Sequence, residues 1–152
     1  MILSTVIEQL LSGMVTSIEI FLLTLLLSLP LGLLVAGGRM SKFAPLRWIA
    51  KIYISIMRGT PLMLQLIIVF FAPYYVFGIN LSADYRFIAV IIAFTINYAA
   101  YFAEIYRGGI ESINSGQYEA AQVLGYSKVE TFFIIIMPQV FKVILPSVTN
   151  EV

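Results

Sequence analysis

A carboxylate and two polar side chains lie on one face of an otherwise apolar segment in the second half of the sequence. Asn97, Tyr101 and Glu104 stand at i, i+4 and i+7, so a helix would place them on the same side. An ionisable group at membrane depth is costly and commonly marks a route for a polar solute. The spacing therefore predicts that these side chains line a translocation pathway. The competing hypothesis is that Glu104 lies at the membrane interface and pairs with Arg107 or Arg58.

A second polar group accompanies a break in the apolar pattern. Thr60 is a good N-cap residue and Pro61 suits a first helical turn, and Arg58 and Gln65 flank them. One hypothesis is that the break directs Arg58 and free backbone amides toward an anionic group, such as a substrate carboxylate. The alternative is that Arg58 only anchors a proline-capped helix on the cytoplasmic side. The sequence is compatible with both.

The composition excludes most catalytic chemistry. The chain contains no histidine and no cysteine, so it has no disulfide, no Ser-His or Cys-His catalytic pair and none of the usual soft metal ligands. It also lacks a Walker A motif, and Glu104 has no second acid on a clearly facing position within the membrane. A net charge of +1 gives no reason to expect nucleic acid. We therefore expect no enzyme, no cofactor and no metal site.

The elements that position these residues are membrane helices. Only 11% of the residues are charged, against about 25% in a soluble domain, and the mean hydropathy is +0.97. The prediction is a multi-pass, all-α transmembrane bundle forming one domain over residues 1–152. Asn80 is predicted to end the second span, and Asp84 to lie in the first turn of the third. The predicted spans are 18–37, 61–77, 85–106 and 139–152, with a cytoplasmic loop at 108–138.

The distribution of basic residues predicts the orientation. Segment 39–58 carries five Lys or Arg residues and segment 107–142 carries three, whereas the loop between the second and third spans carries only Arg86. Cytoplasmic loops of membrane proteins are enriched in Lys and Arg. Both basic segments are therefore predicted to be cytoplasmic, with the N-terminus outside.

The longest loop has the features of a docking surface. Segment 117–124 can form two turns of helix, and Gly125 can end it as a C-cap. Within it, Ala120 and Ala121 follow the carboxylate of Glu119 and would give a flat patch that another protein could approach closely. Two aliphatic residues at the end of the segment add apolar surface. The loop is predicted to dock a soluble partner; the alternative is a solvated connector between two spans.

The loop also resembles the signature of permease subunits of ABC importers. The pattern is Glu-Ala-Ala, three residues, Gly, nine residues, Ile, one residue, an aliphatic residue and Pro; here it is carried by Glu119, Ala120, Ala121, Gly125, Ile135, Met137 and Pro138. The family usually has leucine at the position of Met137, a volume-conserving difference. Segments 58–65, 103–117 and 137–139 are similar to the polar amino acid group of that family. The resemblance covers about residues 13–152.

This resemblance implies a function and a set of partners. The chain would be the permease subunit of an importer of polar amino acids in the bacterial plasma membrane, driven by a separate ATPase. Segment 117–124 would be the coupling helix that docks a cytoplasmic ATPase dimer, through Glu119, Ala120, Ala121 and Gly125. A solute-binding protein outside, a second permease subunit and membrane lipid would complete the assembly.

The resemblance departs from the family at the end of the chain. Permease subunits of this kind usually continue with more helix after the sequence that ends at Asn150, whereas this sequence ends at Val152. The expectation is therefore a chain truncated before the final helices. The alternative function is a truncated, non-transporting membrane subunit that docks partners without translocation.

Overall fold

All regular structure in the part of the chain that the structure describes is helical. The computed structural model describes residues 2–79, 82 and 85–151, and it confirms the predicted all-α bundle. Asn80, Asp84 and Val152, to which the sequence analysis gave places in or beside the spans, lie outside these residues. In chain order the elements are α1 (Ile2–Arg39), α2 (Ala44–Gly59), α3 (Leu62–Phe77), α4 (Tyr85–Glu111), α5 (Ser115–Val123), α6 (Lys128–Glu130), a π-helical segment (Thr131–Ile136) and α7 (Met137–Glu151).

Several helices are long and apolar enough to cross a membrane. They are Thr5–Arg39, Tyr85–Glu111 and Lys128–Glu151, with a fourth span possible if the bent pair α2–α3 counts as one. Thr5–Arg39 and Tyr85–Glu111 extend beyond the predicted spans 18–37 and 85–106, because a helix can continue past the apolar stretch that a bilayer requires. Where the membrane boundaries fall within these helices remains a prediction.

Helical structure extends from both sides into the segment 108–138, which was predicted to be a loop. Gly108 and Gly109 lie inside α4, which runs on to Glu111. Helical structure also begins at Lys128, well before the predicted fourth span, and passes through the π segment into α7. In that segment the N–H of Met137 donates to the carbonyl of Phe132, five residues back. Such a widened turn is a local adjustment suited to Pro138, which lacks the N–H of a regular helix.

The break between α2 and α3 is a sharp bend. The two helices meet at 109°. Pro61 occupies the N-cap position of α3 and makes no side-chain cap. The predicted capping role of Thr60 was wrong, because its hydroxyl turns back and donates to the carbonyl of Ile56 at 2.7 Å. This bond satisfies one of the carbonyls at the end of α2.

Helix α4 is the centre of the bundle, and small residues allow its neighbours to approach closely. A Cβ atom on Gly32 of α1 would lie 2.7 Å from Cβ of Phe102, so the two backbones are in close contact there. Further along, Arg39 approaches Glu104, which shows that α1 and α4 run in the same direction. Helix α3 packs on another side of α4, and the hydroxyl of Tyr85 donates to the carbonyl of Val69 at 2.9 Å.

Helix α7 packs on α4 at Gly109, which gives a stability prediction. A Cβ atom at this position would lie 2.2 Å from Cγ2 of Ile144 and 3.2 Å from Cγ1 of Val140. Gly109→Ala is therefore expected to destabilise the fold by about 1–3 kcal/mol through overpacking. The measurement is the thermal unfolding midpoint of the detergent-solubilised chain.

Two variants serve as controls for the Gly109 prediction. Gly108→Ala is the matched change, because nothing lies within 4 Å of its Cβ position, and the midpoint should not fall. Adding Ile144→Ala to Gly109→Ala removes the clashing methyl group. The double variant should then lose less stability than the sum of the two single variants. Equal midpoints for Gly108→Ala and Gly109→Ala would contradict this packing.

Candidate functional site

Three of the predicted pathway residues line one groove between α2, α4 and α7. Arg58, Tyr101 and Glu104 surround a space of about 340 Å³. The Arg58 guanidinium carbon lies 5.2 Å from the centroid of the Tyr101 ring, within cation–π range. A second space, of about 250 Å³, shares Arg58 and Glu104 with the first and is also lined by Arg39 and Lys51. Charged side chains therefore line the groove, whereas the surface of the bundle is otherwise mostly apolar.

Glu104 is the centre of an ion-pair cluster in this groove. One carboxylate oxygen accepts hydrogen bonds from Nη2 of Arg107 at 2.7 Å and from its Nε at 3.0 Å. The other lies 3.9 Å from Nε of Arg39. Arg107 also forms an ion pair with the more exposed Glu111, one turn further along α4. The pairing with Arg107 that the sequence analysis raised is present, whereas Arg58 lies against Tyr101 instead.

Gln65 and Asn97 form a buried cluster away from the groove. They are 8% and 5% exposed, and the Asn97 amide donates to the side-chain oxygen of Gln65 at 2.9 Å. Both amides also donate to the carbonyl of Met57, and Gln65 donates to the carbonyl of Thr60. These carbonyls lost their helical partners at the bend. The hydrogen bonds of the two side-chain amides therefore stabilise the α2–α3 bend.

An acidic residue that the sequence analysis missed lies in the same groove. Glu151, near the end of α7, lines the space that Arg58, Tyr101 and Glu104 also line. The antiparallel packing of α7 on α4 brings it there. The expectation that Glu104 has no facing acid was therefore wrong. The available signal was an acid within the predicted fourth span, but the sequence did not show which helix that span packs on.

Helix α5 displays only part of the predicted docking surface. The side chain of Asn114 accepts a hydrogen bond from the Gly116 N–H at 2.8 Å and caps the helix start. Glu119 and Ala120 are exposed, whereas Ala121 is 1% exposed and packs inward. The predicted flat patch of two alanines is thus a single exposed alanine, because adjacent helical residues point in different directions.

The end of α5 is fixed by a Schellman motif at Gly125. This glycine has φ +82°, as the predicted C-cap role requires. The Tyr126 N–H donates to the backbone carbonyl of Ala121, and the Gly125 N–H donates to the backbone carbonyl of Gln122, both at 3.1 Å. The turn leaves the two aliphatic side chains before it unpacked, with Val123 88% and Leu124 74% exposed. An apolar tip of this kind is suited to contact with another protein.

Helix α5 is connected to the membrane helices through the π segment and α7. It packs against the π segment. The side-chain amide of Gln139, in the first turn of α7, lies 3.3 Å from the side-chain oxygen of Gln117 and donates to the Ile135 carbonyl at 2.9 Å. A displacement of α5 would therefore act on the start of α7.

Comparison with known proteins identifies the family. Residues 28–152 match the family described as the binding-protein-dependent transport system inner membrane component. The chain belongs to this family. The resemblance found in the sequence is confirmed, and with its apolar helices the chain is an integral protein of the bacterial plasma membrane.

Its relatives include permeases for several amino acids. The L-cystine transport system permease protein TcyB of Bacillus subtilis is 40% identical over 139 residues, which are 91% of this chain and 57% of the relative. The arginine transport system permease protein ArtQ of the same organism is 38% identical over 141 residues, covering 93% and 63%. The chain thus spans about three fifths of these relatives' lengths. A crystal structure of an amino acid ABC transporter with histidines matches with a TM-score of 0.83 at 36% identity, covering 98% of this chain and 69% of that one.

Proposed function

We propose that this chain is the permease subunit of an ATP-driven importer of polar amino acids, energised by a separate ATPase subunit. Its relatives are permease proteins of amino acid transport systems, and this favours transport over the non-translocating alternative. The observation that carries the proposal is α5, a short capped helix outside the long apolar helices, with an exposed apolar tip and a connection to α7.

The proposed mechanism couples the ATPase dimer to the membrane helices through α5. Glu119, Ala120 and the apolar tip dock in the ATPase, while Ala121 and Gly125 hold the helix in position. Closure of the ATPase dimer moves α5 as a rigid body, and the π segment and the Gln117–Gln139 contact transmit this motion to α7. Because α7 packs tightly on α4 at Gly109, the motion reaches the groove.

The groove is the proposed pathway for the substrate. A free amino acid carries a carboxylate and an ammonium group, and the groove offers Arg58 for the first and Glu104 and Glu151 for the second. Tyr101 lies beneath the Arg58 guanidinium and orients it. Gln65 and Asn97 act by holding the bend that places Arg58. A second permease subunit is needed to close the groove, and an external solute-binding protein would deliver the amino acid.

The proposal is tested with the complete complex in proteoliposomes. The permease is reconstituted with its ATPase and solute-binding protein, and uptake of labelled amino acids is measured with ATP inside. We expect accumulation of at least one polar amino acid that requires both ATP and this chain. ATP-dependent accumulation of none of them would contradict the proposal.

The proposed orientation places the N-terminus and Ser82 outside and α5 in the cytoplasm. The prediction is that a cysteine at exposed Ser82 reacts with an impermeant thiol reagent in intact cells, whereas one at exposed Gln117 reacts only after the membrane is opened. The chain has no cysteine of its own, so the unmodified chain is a clean control. Labelling of position 117 and not 82 in intact cells would reverse the orientation and exclude docking of a cytoplasmic ATPase.

A further inference from the structure

Three basic residues follow one side of α2. Arg47, Lys51 and Arg58 are spaced by one and two helical turns, so they lie within about 40° of one another around the helix axis. We call these three residues the basic row, which covers about 16 Å of helix from end to end. Like charges one turn apart destabilise a helix. The pair of Arg47 and Lys51 therefore costs stability, and the packing of α2 does not explain it.

The basic row connects three adjoining spaces. The first is the groove of about 340 Å³, which Arg58 lines. Arg58 also lines the second space, of about 250 Å³, together with Arg39 and Lys51. A third space, of about 220 Å³, shares Arg39 and Lys51 with the second and is also lined by Arg47 and Trp48. Each space thus shares residues with the next, and the basic row follows them from the groove toward the start of α2.

The charges of the basic row are available to a ligand. In the part of the chain that the structure describes, every ion pair joins an acid of α4 to an arginine outside the row. Two members of the row lie over aromatic rings instead. The Lys51 ammonium nitrogen is 5.4 Å from the centroid of the Trp48 ring, and the Arg58 guanidinium lies over Tyr101. An aromatic face orients a cation and leaves its positive charge unneutralised.

We propose that the basic row guides the carboxylate of the amino acid substrate from the groove to the cytoplasm. This inference rests on the proposed function and on the proposed orientation, in which the start of α2 is cytoplasmic. Arg58 lines both the groove and the second space, so a carboxylate bound to it is already at the entrance of the second space. Lys51 and Arg39 offer the next donors, and Arg47 offers the last. The carboxylate exchanges one cation for the next and is never without a partner.

Anchoring at the membrane surface is the simpler explanation for basic residues on α2. Any exposed Lys or Arg near the cytoplasmic interface would serve that purpose. Lys42 is such a residue, and in the described part of the chain it lines none of the three spaces. Anchoring does not require that basic residues line connected spaces or that the row extend to Arg58 in the groove. The two explanations therefore predict different behaviour for Lys42 and Lys51.

Uptake by the complete complex in proteoliposomes tests the proposal. Lys51→Gln is expected to lower the maximal uptake rate about fivefold, because the carboxylate loses a charged donor on its way to the cytoplasm. The concentration of loaded solute-binding protein that gives half of the maximal rate should change less, since delivery takes place on the other side. Lys51→Arg keeps the charge and should retain the rate. Lys42→Gln is the matched change outside the row and should transport normally, and ATPase capture should stay intact in all variants.

Trp48 reports the charge of the basic row without transport, because it is the only tryptophan in the chain and lines the third space. Iodide is an anion and acrylamide is neutral, and both quench tryptophan fluorescence. In the detergent-solubilised chain, Arg47→Gln should lower quenching by iodide about twofold and leave quenching by acrylamide unchanged, because only iodide is attracted by the row. Added salt should reduce quenching by iodide in the unmodified chain, since salt screens exposed charges. Arg86→Gln, outside the row, should leave both unchanged.

Three outcomes would overturn the inference and leave the proposed function intact. The first is normal uptake by the combined variant Arg47→Gln and Lys51→Gln. The second is equal slowing by Lys42→Gln and Lys51→Gln, which would show that the basic residues only anchor α2. The third is unchanged quenching by iodide in Arg47→Gln. The absence of ATP-dependent uptake by the unmodified complex would instead contradict the proposed function, and the inference with it.

Discussion

Ala120→Arg is expected to reduce capture of the cognate ATPase by the detergent-solubilised permease about tenfold or more, and to abolish uptake. The side chain of Ala120 is exposed on α5 beside Glu119. In the proposed complex it lies at a close protein–protein contact, where a long charged side chain adds bulk and a charge that must lose its water. The measurement is co-purification of the ATPase with a tagged permease, together with uptake in proteoliposomes.

Gly125 tests the same surface through the backbone. Its φ of +82° is open to glycine and strained for other residues, most of all for β-branched ones, although no atom lies within 4 Å of its Cβ position. Capture should therefore decrease from the unmodified chain to Gly125→Ala and again to Gly125→Val. The strain, and not a clash, would change the direction in which the tip of α5 points.

Matched variants separate docking from general damage. Ala44→Arg places the same side chain at another exposed alanine, at the start of α2, and should leave capture unchanged. Gly78→Val strains the other glycine with positive φ, at the end of α3, and should also preserve capture. All variants should insert in the membrane to the same extent. Undiminished capture by both Ala120→Arg and Gly125→Val would show that α5 is only a connector.

Glu104→Gln is expected to reduce uptake about tenfold or more while ATPase capture remains intact. The substitution keeps the shape of the side chain and removes the charge that faces the groove and pairs with Arg107 and Arg39. A tenfold lower rate corresponds to about 1.4 kcal/mol of lost stabilisation of the rate-limiting step. Uptake and capture are measured on the same preparations.

Glu111→Gln provides the matched control for Glu104. Glu111 lies on the same helix and pairs with the same Arg107, but it is more exposed and does not line the groove. Its variant should transport at nearly the normal rate. If the two variants behave alike, the ion pair with Arg107 serves only to anchor α4, and the pathway belongs to other residues.

Local sequence was sufficient for the elements whose geometry is local. Apolar composition predicted a helical membrane bundle, since backbone groups in lipid must be satisfied within the chain. Gly125 was predicted as a C-cap, because the left-handed conformation at a helix end favours glycine regardless of tertiary contacts. The residue types and spacing from Glu119 to Pro138 were specific enough to indicate the family by themselves.

Tertiary structure decided which of the polar residues share a site. Helical periodicity placed Asn97, Tyr101 and Glu104 on one face, but the bend between α2 and α3 covers the first with Gln65 and leaves the other two on the groove. Packing of α5 on the π segment likewise decided that Ala121 is buried while its neighbour Ala120 stays exposed.

The partners of the charged groups were equally beyond the sequence. Glu151 reaches the groove only because α7 packs antiparallel on α4, at a contact that Gly109 permits. Arg39 joins Arg47 and Lys51 because α1 ends beside α2. Periodicity determines the face on which a side chain lies, whereas the element packed against that face determines whether the side chain is buried, paired or open to a ligand.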